Sequence, residues 1–220
     1  MKWRTRGLLF DMDGVLISSL GSVERSWARW GEMRGVDGAG AIKHAHGKRA
    51  IDIVRMLRPD LDDQAELKIV EEMEVEDYEG LEVLRGVERI VHSLPQQYWT
   101  IVTSATDRLA RSRLGHAAIP VPEHFVNADM VTRGKPDPEP YLKGAALLGL
   151  DPGECVVIED ASAGVEAGHR AGCKVIATLF SHAPEHLSLA DWVVDSLDDL
   201  DVEVLPNGAG LELSFEPVMR

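Results

Sequence analysis

Two aspartates that are two residues apart, Asp11 and Asp13, follow a short apolar run near the start of the chain. Side chains at this spacing can diverge, so that one carboxylate binds a metal ion while the other transfers protons. Gly14 comes next and lets the backbone turn sharply out of a strand. An ordinary turn also favours aspartate and glycine. The position directly after a buried strand favours a functional pair, because ligands of parallel sheets bind beyond the carboxyl ends of the strands.

A second acidic pair, Glu159 and Asp160, follows another apolar run. Carboxylates that gather at one sheet edge repel each other unless a cation neutralises them. Oxygen ligands without nearby histidine or cysteine favour Mg²⁺ over zinc. Two independent helix N-caps would also place acids here, but they do not explain why both pairs follow strands. The sequence therefore predicts a Mg²⁺ site among Asp11, Asp13, Glu159 and Asp160.

Lys135 precedes Pro136 in a loop that also contains Pro138. Prolines stiffen a loop, and a lysine held in this way differs from one that moves freely in solvent. A fixed ammonium group beside carboxylates can pair with Asp11 and hold a transferring phosphoryl group. The alternative is an ordinary solvated lysine. A P-loop is excluded, because proline follows Lys135 where serine or threonine is required.

Ser104 follows a third apolar run, residues 99–103. Its hydroxyl can donate to a phosphate oxygen, or it can cap the helix predicted to start near Asp107. The chain has no Gly-x-Ser-x-Gly motif, which disfavours a serine hydrolase.

The histidines and cysteines do not form a recognisable metal site. The close histidine pairs, His44/His46 and His182/His186, lack supporting ligands, so loop or surface positions are expected for them. Cys155 and Cys173 have neither disulfide-framework nor metal spacing, and we expect two small buried residues in a reducing compartment.

The elements that must position these residues alternate between strands and helices. Apolar runs predict buried strands at 7–10, 99–103, 155–158, 174–178 and 192–194. Helical patterns lie at 88–93, 107–114, 138–148 and 163–171. This alternation predicts an α/β fold with a doubly wound, Rossmann-like parallel sheet.

A segment without a convincing strand, residues 18–84, interrupts this alternation, and its apolar residues recur at helical spacing. We interpret it as a small α-helical cap domain inserted after the first strand of a core formed by residues 1–17 and 85–220. The stretch 43–58 is basic and is predicted to face an anionic ligand, whereas the acidic run 59–88 is predicted to be a solvated face. Near the end, alternating residues on both sides of Asn207-Gly208 predict a hairpin.

Composition excludes several classes of protein. The 220 residues carry 23 basic and 37 acidic side chains, a net charge of −14, which disfavours nucleic-acid binding. A hydrophobic fraction of 45% is typical of a globular chain. No apolar run is long enough to span a membrane, and the apolar run after the basic start stops at Asp11, which is too short for a signal peptide. We therefore expect a cytoplasmic protein, a monomer or weak homodimer, without membrane or nucleic-acid partners.

Taken together and in order, Asp11 to Val15, Ser104, Lys135-Pro136 and Glu159-Asp160 resemble the motifs of the haloacid dehalogenase superfamily of aspartate-nucleophile phosphatases. The resemblance covers essentially the whole chain, including the helical cap. Within the superfamily, the residues 46–51, 140–145 and 165–168 are similar to those of bacterial hexose-phosphate phosphatases, whose relatives include glycerol-3-phosphate and 2-deoxyglucose-6-phosphate phosphatases.

The resemblance implies roles for individual residues. Asp11 would attack phosphorus to form an aspartyl-phosphate, and Asp13 would act first as general acid and then as general base. Mg²⁺ would be held by Asp11, Asp160, the main-chain carbonyl of Asp13, and Glu159 directly or through water. Ser104 and Lys135 would bind the phosphoryl group. Ala105, which replaces the glycine common in these phosphatases, is expected to leave phosphate binding intact.

The resemblance also places the cap residues Gly47, Lys48 and Arg49 over the substrate, a small sugar or polyol phosphate. The alternative is that Lys48 and Arg49 are ordinary surface residues. Two other functions stay open: a β-phosphoglucomutase-like phosphoryl transfer, which would use the same motifs, and a sugar-phosphate-binding protein without catalysis. Intact Asp11, Asp13, Lys135 and Asp160 disfavour the last of these.

Overall fold

The computed structural model of the protein describes residues 1–37, 40 and 47–218. The strands in chain order are β1 (Lys2–Thr5), β2 (Gly7–Phe10), β3 (Ile17–Ser18), β4 (Glu82–Val83), β5 (Trp99–Ile101), β6 (Cys155–Glu159), β7 (Lys174–Thr178), β8 (Trp192–Val194), β9 (Leu200–Val204) and β10 (Leu211–Phe215). The α-helices described are α1 (Leu20–Arg34), α2 (Ala50–Leu57), α3 (Asp63–Glu76), α4 (Val87–Ser93), α5 (Asp107–His116), α6 (Glu139–Leu147) and α7 (Ser162–Ala171). Short 3₁₀ turns occupy Gln96–Tyr98, Ala128–Met130, Pro152–Glu154, Pro184–His186, Leu197–Asp199 and Pro206–Gly208.

The central sheet has five parallel strands in the order β5-β2-β6-β7-β8. Alternate residues of its strands enter two apolar layers: Leu8 and Phe10 pack with helices α4 and α5, whereas Leu9 packs with α6 and α7. Helices therefore cover both faces, which is why the strands are apolar throughout. The predicted doubly wound α/β fold is confirmed. Strand β5 is shorter than predicted, since it ends at Ile101.

The predicted helical insertion contains α1, α2 and α3, which pack around their own apolar cluster. The prediction that this stretch contains no strand is wrong at its two ends. Strands β3 and β4 pair there, with Ile17 opposite Val83 and Ser18 opposite Glu82. Strands of two residues are too short to leave an alternating pattern in the sequence.

The prediction that the acidic run is a solvated face is also wrong in part. Glu66 and Glu74 in α3 are buried, on the same side of the helix as Val70. Glu66 accepts hydrogen bonds from the Trp30 indole and from Arg34. These two bonds replace the hydrogen bonds to water that the carboxylate loses on burial. Ion pairing thus turns acidic residues of α3 towards the interior.

The hairpin predicted near the end of the chain is confirmed by the antiparallel pair β9 and β10. It gains a third strand that was not predicted, because β1 pairs with β10 and Lys2 forms an ion pair with Glu212. Cys155 and Cys173 are buried free thiols, as predicted.

None of the helices in the described part of the chain is both long enough and apolar enough to cross a lipid bilayer.

Candidate active site

Asp11 and Lys135 form a buried ion pair at the carboxyl end of β2. Asp11 directly follows the strand, and its amide donates to the carbonyl of Ile158 in the neighbouring strand. The Lys135 ammonium lies 2.7 Å from Asp11 Oδ1 and also donates to the carbonyl of Val102. Burial raises the pKa of Asp11 to about 7, against the opposing charge of Lys135. The solvated alternative for Lys135 is excluded, because the residue is only 3% exposed.

Glu159 is the second anion that holds Lys135. Its Oε1 accepts from Lys135 Nζ at 2.7 Å and from the Tyr141 hydroxyl at 2.8 Å. Its Oε2 accepts from the amides of Asp160 and Ala161. Burial opposes the charge of Lys135, but Asp11 and Glu159 together hold the pKa of its ammonium above the ordinary value. The arrangement keeps Lys135 charged and fixed beside Asp11.

Three carboxylates at this edge are close enough to share one cation. Ligand oxygens of Asp11, Glu159 and Asp160 all lie within 4.8 Å of one another, and all three residues are buried. Lys135 supplies one positive charge to the three, which leaves two negative charges. Burial and the neighbouring carboxylates raise the pKa of Asp160 well above its ordinary value. A divalent cation would balance this charge.

Two further observations fit a cation at Asp160. Its Oδ1 is buried and has no hydrogen-bond partner among the described residues. A buried carboxylate oxygen without a donor is costly unless a cation binds it. Gly14 has a φ of +87°, and a Cβ at this position would lie 2.0 Å from Asp160 Oδ2. Only glycine therefore lets the loop after β2 approach this carboxylate.

Asp13 lies beside the cavity rather than within the buried carboxylate cluster. Its Oδ1 accepts from the Ser19 hydroxyl at 2.6 Å and from Arg113 Nη1 at 2.9 Å. Its side chain is 28% exposed, and the residue lines the cavity above Asp11. The two aspartates thus diverge in environment, with one deeply buried and one in contact with the ligand space.

Ser104 follows β5, and its hydroxyl donates to the carbonyl of Gly47 at 3.0 Å. The alternative prediction that Ser104 caps α5 is wrong, because Thr106 is the N-cap and its hydroxyl accepts from the amide of Leu109. Ser104 and Ala105 both line the cavity. In this structure the Ser104 hydroxyl therefore contacts the insertion, at the wall of the cavity.

Gly47, Lys48 and Arg49 line the cavity from the side of the insertion. Arg49 is buried and donates to Asp52 and to the carbonyls of Val131 and Thr132, so it clamps the insertion to the core. The alternative of an ordinary surface residue is excluded for Arg49. The side chain of Lys48 forms no hydrogen bond or ion pair within the described part of the chain. Lys43, His44 and His46 lie outside the described residues.

The cavity has a volume of about 490 Å³. The end near Asp11 is polar, whereas Trp27, Leu67 and Val70 of the insertion contribute an apolar wall. Glu71 and Glu74 add carboxylates to the same wall. A ligand with a phosphate at one end and a partly apolar, hydroxyl-bearing body suits this division.

Within the described part of the chain, the hydrogen-bond networks of Asp13 and Glu159 include residues that were not predicted from the sequence: Ser19, Glu74, Arg113 and Tyr141. One signal for Arg113 was available. It lies four residues after Leu109, on the buried face of α5. A charged residue at an apolar position of a helix indicates a buried ion pair.

Comparison with known proteins gives a consistent family assignment. The family model described as haloacid dehalogenase-like hydrolase matches residues 5–172. Hexitol phosphatase A of Escherichia coli (strain K12) is 42% identical over 210 residues, which cover 93% of this chain and 97% of that protein. Glycerol-1-phosphate phosphohydrolase 1 of Saccharomyces cerevisiae is 37% identical over 186 residues, which cover 78% and 74% of the two chains.

Solved structures agree on the fold. The β-phosphoglucomutase of Clostridium difficile superimposes with a TM-score of 0.76 at 22% identity, over 90% of this chain and 93% of that chain. At this identity the likeness concerns the fold alone.

Proposed function

Because the chain belongs to the haloacid dehalogenase-like hydrolases, we propose that it is a Mg²⁺-dependent phosphatase that hydrolyses small sugar or polyol phosphates through an aspartyl-phosphate. The observation that carries the proposal is the pairing of Asp11 with a buried, charged Lys135 at 2.7 Å, beneath a cavity that Asp13 also lines. A protein that only binds sugar phosphates would need neither a nucleophile such as Asp11 nor a proton donor such as Asp13, so their presence together favours an enzyme. The names of the similar phosphatases support the substrate class.

Asp11 is the proposed nucleophile. A carboxylate oxygen attacks phosphorus, the P–O bond to the sugar or polyol breaks, and the phosphoryl group becomes bound to Asp11. Asp13 donates its proton to the leaving alkoxide oxygen in this step. In the second step Asp13 removes a proton from the water that attacks phosphorus, and Asp11 leaves as a carboxylate. Asp13 therefore regains from water the proton that it gave to the leaving group, and it is protonated again at the end of each turnover.

Asp11, Asp160 and the main-chain carbonyl of Asp13 would hold Mg²⁺, with Glu159 beside them. When bound, the ion supplies positive charge to the phosphoryl oxygens and balances the carboxylate cluster. Lys135 also stabilises the negative charge of the phosphoryl oxygens, since its ammonium is already positioned at Asp11. Ser104 contributes a hydroxyl donor when it exchanges its bond to the Gly47 carbonyl for one to a phosphate oxygen, and Ala105 contributes wall contacts to the phosphate end.

We assign residues 18–84 to a cap domain and residues 1–17 and 85–220 to the core. The paired strands β3 and β4 lie at this boundary. Gly47, Lys48 and Arg49 then belong to the cap and meet the substrate from above. Lys48 is the proposed contact with the anionic end, because none of the described residues pairs with its charge. Enclosure by a cap excludes water from the reactive acyl phosphate and selects the leaving group.

The test is phosphate release from a panel of esters with Mg²⁺: sorbitol 6-phosphate, glycerol 1-phosphate, 2-deoxyglucose 6-phosphate and β-glucose 1-phosphate. We expect release from at least one alkyl ester and loss of release with EDTA. Conversion of β-glucose 1-phosphate to glucose 6-phosphate without phosphate release would replace the proposal by a mutase. Absence of any turnover would support the binding protein. A cytoplasmic location and a monomeric or weakly dimeric state stay predictions.

A further inference from the structure

Arg113 joins the core to the insertion at the proposed general acid. The residue lies in α5 and is only 2% exposed. Nη1 donates to Asp13 Oδ1 at 2.9 Å, and Nη2 donates to Glu74 Oε2 in α3 at 3.2 Å. One guanidinium group therefore holds two carboxylates from different parts of the fold.

From this geometry we infer that Arg113 is a positioning residue for Asp13, and that Glu74 holds Arg113 in place. The inference rests on the proposed function, because it concerns the proton that Asp13 transfers in that reaction. Arg113 itself is not assigned a contact with the substrate.

The two oxygens of Asp13 have different surroundings. Oδ1 is fixed by two donors, Ser19 and Arg113. No hydrogen bond to Oδ2 forms in the part of the chain that the structure describes. Because the residue lines the cavity, Oδ2 is the atom available to carry a proton to the leaving-group oxygen. Fixing Oδ1 thereby orients Oδ2, which is the geometric requirement for general acid catalysis.

Glu74 is needed because Arg113 is so deeply buried. A buried guanidinium requires a paired carboxylate, since an unpaired buried charge is strongly destabilising. Glu74 supplies such a partner independently of Asp13, and its own side chain is only 6% exposed. Arg113 Nε has no partner among the described residues, so the two carboxylate contacts determine where the guanidinium lies.

A neighbouring ion pair offers a matched control. Arg108 in the same helix pairs with Glu71 in α3 at 3.0 Å, so it also links α5 to the insertion. Arg108 is more than half exposed, and the donors to Asp13 among the described residues are Ser19 and Arg113 instead. Its removal weakens the same pair of helices without changing the partners of Asp13.

The experiment compares kcat/KM for sorbitol 6-phosphate, an alkyl ester, with kcat/KM for p-nitrophenyl phosphate. The constant kcat/KM reports only the formation of the aspartyl-phosphate and not its hydrolysis. The nitrophenolate leaves without needing a proton, so its constant does not depend on the general acid. We expect Arg113→Gln and Arg113→Lys to lower the alkyl-ester constant roughly 10- to 100-fold more than the aryl-ester constant. Glu74→Gln, which retains an acceptor oxygen, is expected to cause a smaller loss in the same direction. Arg108→Gln should leave the ratio of the two constants unchanged.

A double variant separates positioning from direct substrate binding. If Arg113 acts through Asp13, then adding Arg113→Gln to Asp13→Asn lowers the alkyl-ester constant no further. A full additional loss would overturn the inference, because Arg113 would then act on the substrate itself. Equal losses on both esters in Arg113→Gln, Arg113→Lys and Glu74→Gln would also overturn it. Absence of turnover by the wild type would instead refute the proposed function.

Discussion

Lys135 Nζ and Glu159 Oε1 lie 2.7 Å apart in a site where both side chains are almost fully buried. Glu159 accepts two further hydrogen bonds from backbone amides and one from the Tyr141 hydroxyl. In the described part of the chain, all four hydrogen-bond partners of this carboxylate are donors. Glu159 is therefore the residue around which Lys135 and the start of the segment after β6 are arranged.

We predict that Glu159→Gln lowers the free energy of unfolding by about 1–3 kcal/mol, the cost of leaving a buried donor without an acceptor, while Asp11 keeps Lys135 paired. The amide would also turn N–H groups towards donors. Urea denaturation measures the change. The exposed pair of Glu166 and Arg170 provides the control, and Glu166→Gln should cost less than about 1 kcal/mol. Equal costs for the two variants would show that the buried contacts contribute little.

Asp11→Asn is predicted to abolish turnover of every ester, because an amide cannot form the acyl phosphate. Turnover of p-nitrophenyl phosphate and of sorbitol 6-phosphate should both fall to the background rate. The replacement is nearly isosteric and removes a carboxylate whose ionised form is opposed by burial. The protein should therefore stay folded in a thermal melt. Residual turnover of even the activated ester would argue against Asp11 as nucleophile.

Asp13→Asn is predicted to discriminate between leaving groups. Attack by Asp11 does not need Asp13 when the leaving group is nitrophenolate, but an alkoxide needs its proton. We expect kcat/KM for the alkyl ester to fall by ~10²–10⁴-fold, the usual contribution of general acid catalysis, with a much smaller effect on the aryl ester. Matching losses on the two esters would contradict the role of Asp13.

Mg²⁺ is predicted to stabilise the folded protein, with Asp160 as the diagnostic residue. Burial and like charges disfavour ionised Asp160 in the folded state, so Asp160→Asn in EDTA should be at least as stable as the wild type. Added Mg²⁺ should reverse this order, since a ligand at 100 times its Kd stabilises by about 2.7 kcal/mol. Thermal melts at matched ionic strength in NaCl provide the control. Equal stabilisation of both proteins would place the ion elsewhere.

Lys48 and Arg49 are predicted to fail in different ways. Lys48→Ala removes from the cavity wall a cation that has no ion-pair partner among residues 1–37, 40 and 47–218, so it should raise KM for sorbitol 6-phosphate at unchanged thermal stability. Arg49→Ala removes the clamp to Val131 and Thr132 and should lower the melting temperature. It should also reduce sugar-phosphate turnover far more than p-nitrophenyl phosphate turnover, because the small ester needs few cap contacts. Unchanged kinetics in both variants would place these residues outside the binding machinery.

The sequence alone determined the parts of this protein that depend on local pattern. Short apolar runs such as Gly7–Phe10 cannot be solvated, so they predicted the buried strands, and a carboxylate directly after such a run must lie at the sheet edge. For this reason the sequence was sufficient to predict the proximity of Asp11, Glu159 and Asp160. The position of Lys135 beside Asp11 was predicted from the motif Lys135-Pro136.

Only the tertiary structure decided which charged side chains meet across long separations in the chain. Arg113 is 100 residues from Asp13, and Glu74 is 39 residues from Arg113. In the sequence, Glu74 belongs to an acidic run that ordinarily remains solvated. Burial of a charge is favourable only when a partner of opposite charge is present at the right distance, and that partner is supplied by another element. Packing of α3 against α5 therefore turned a predicted surface acid into part of the site.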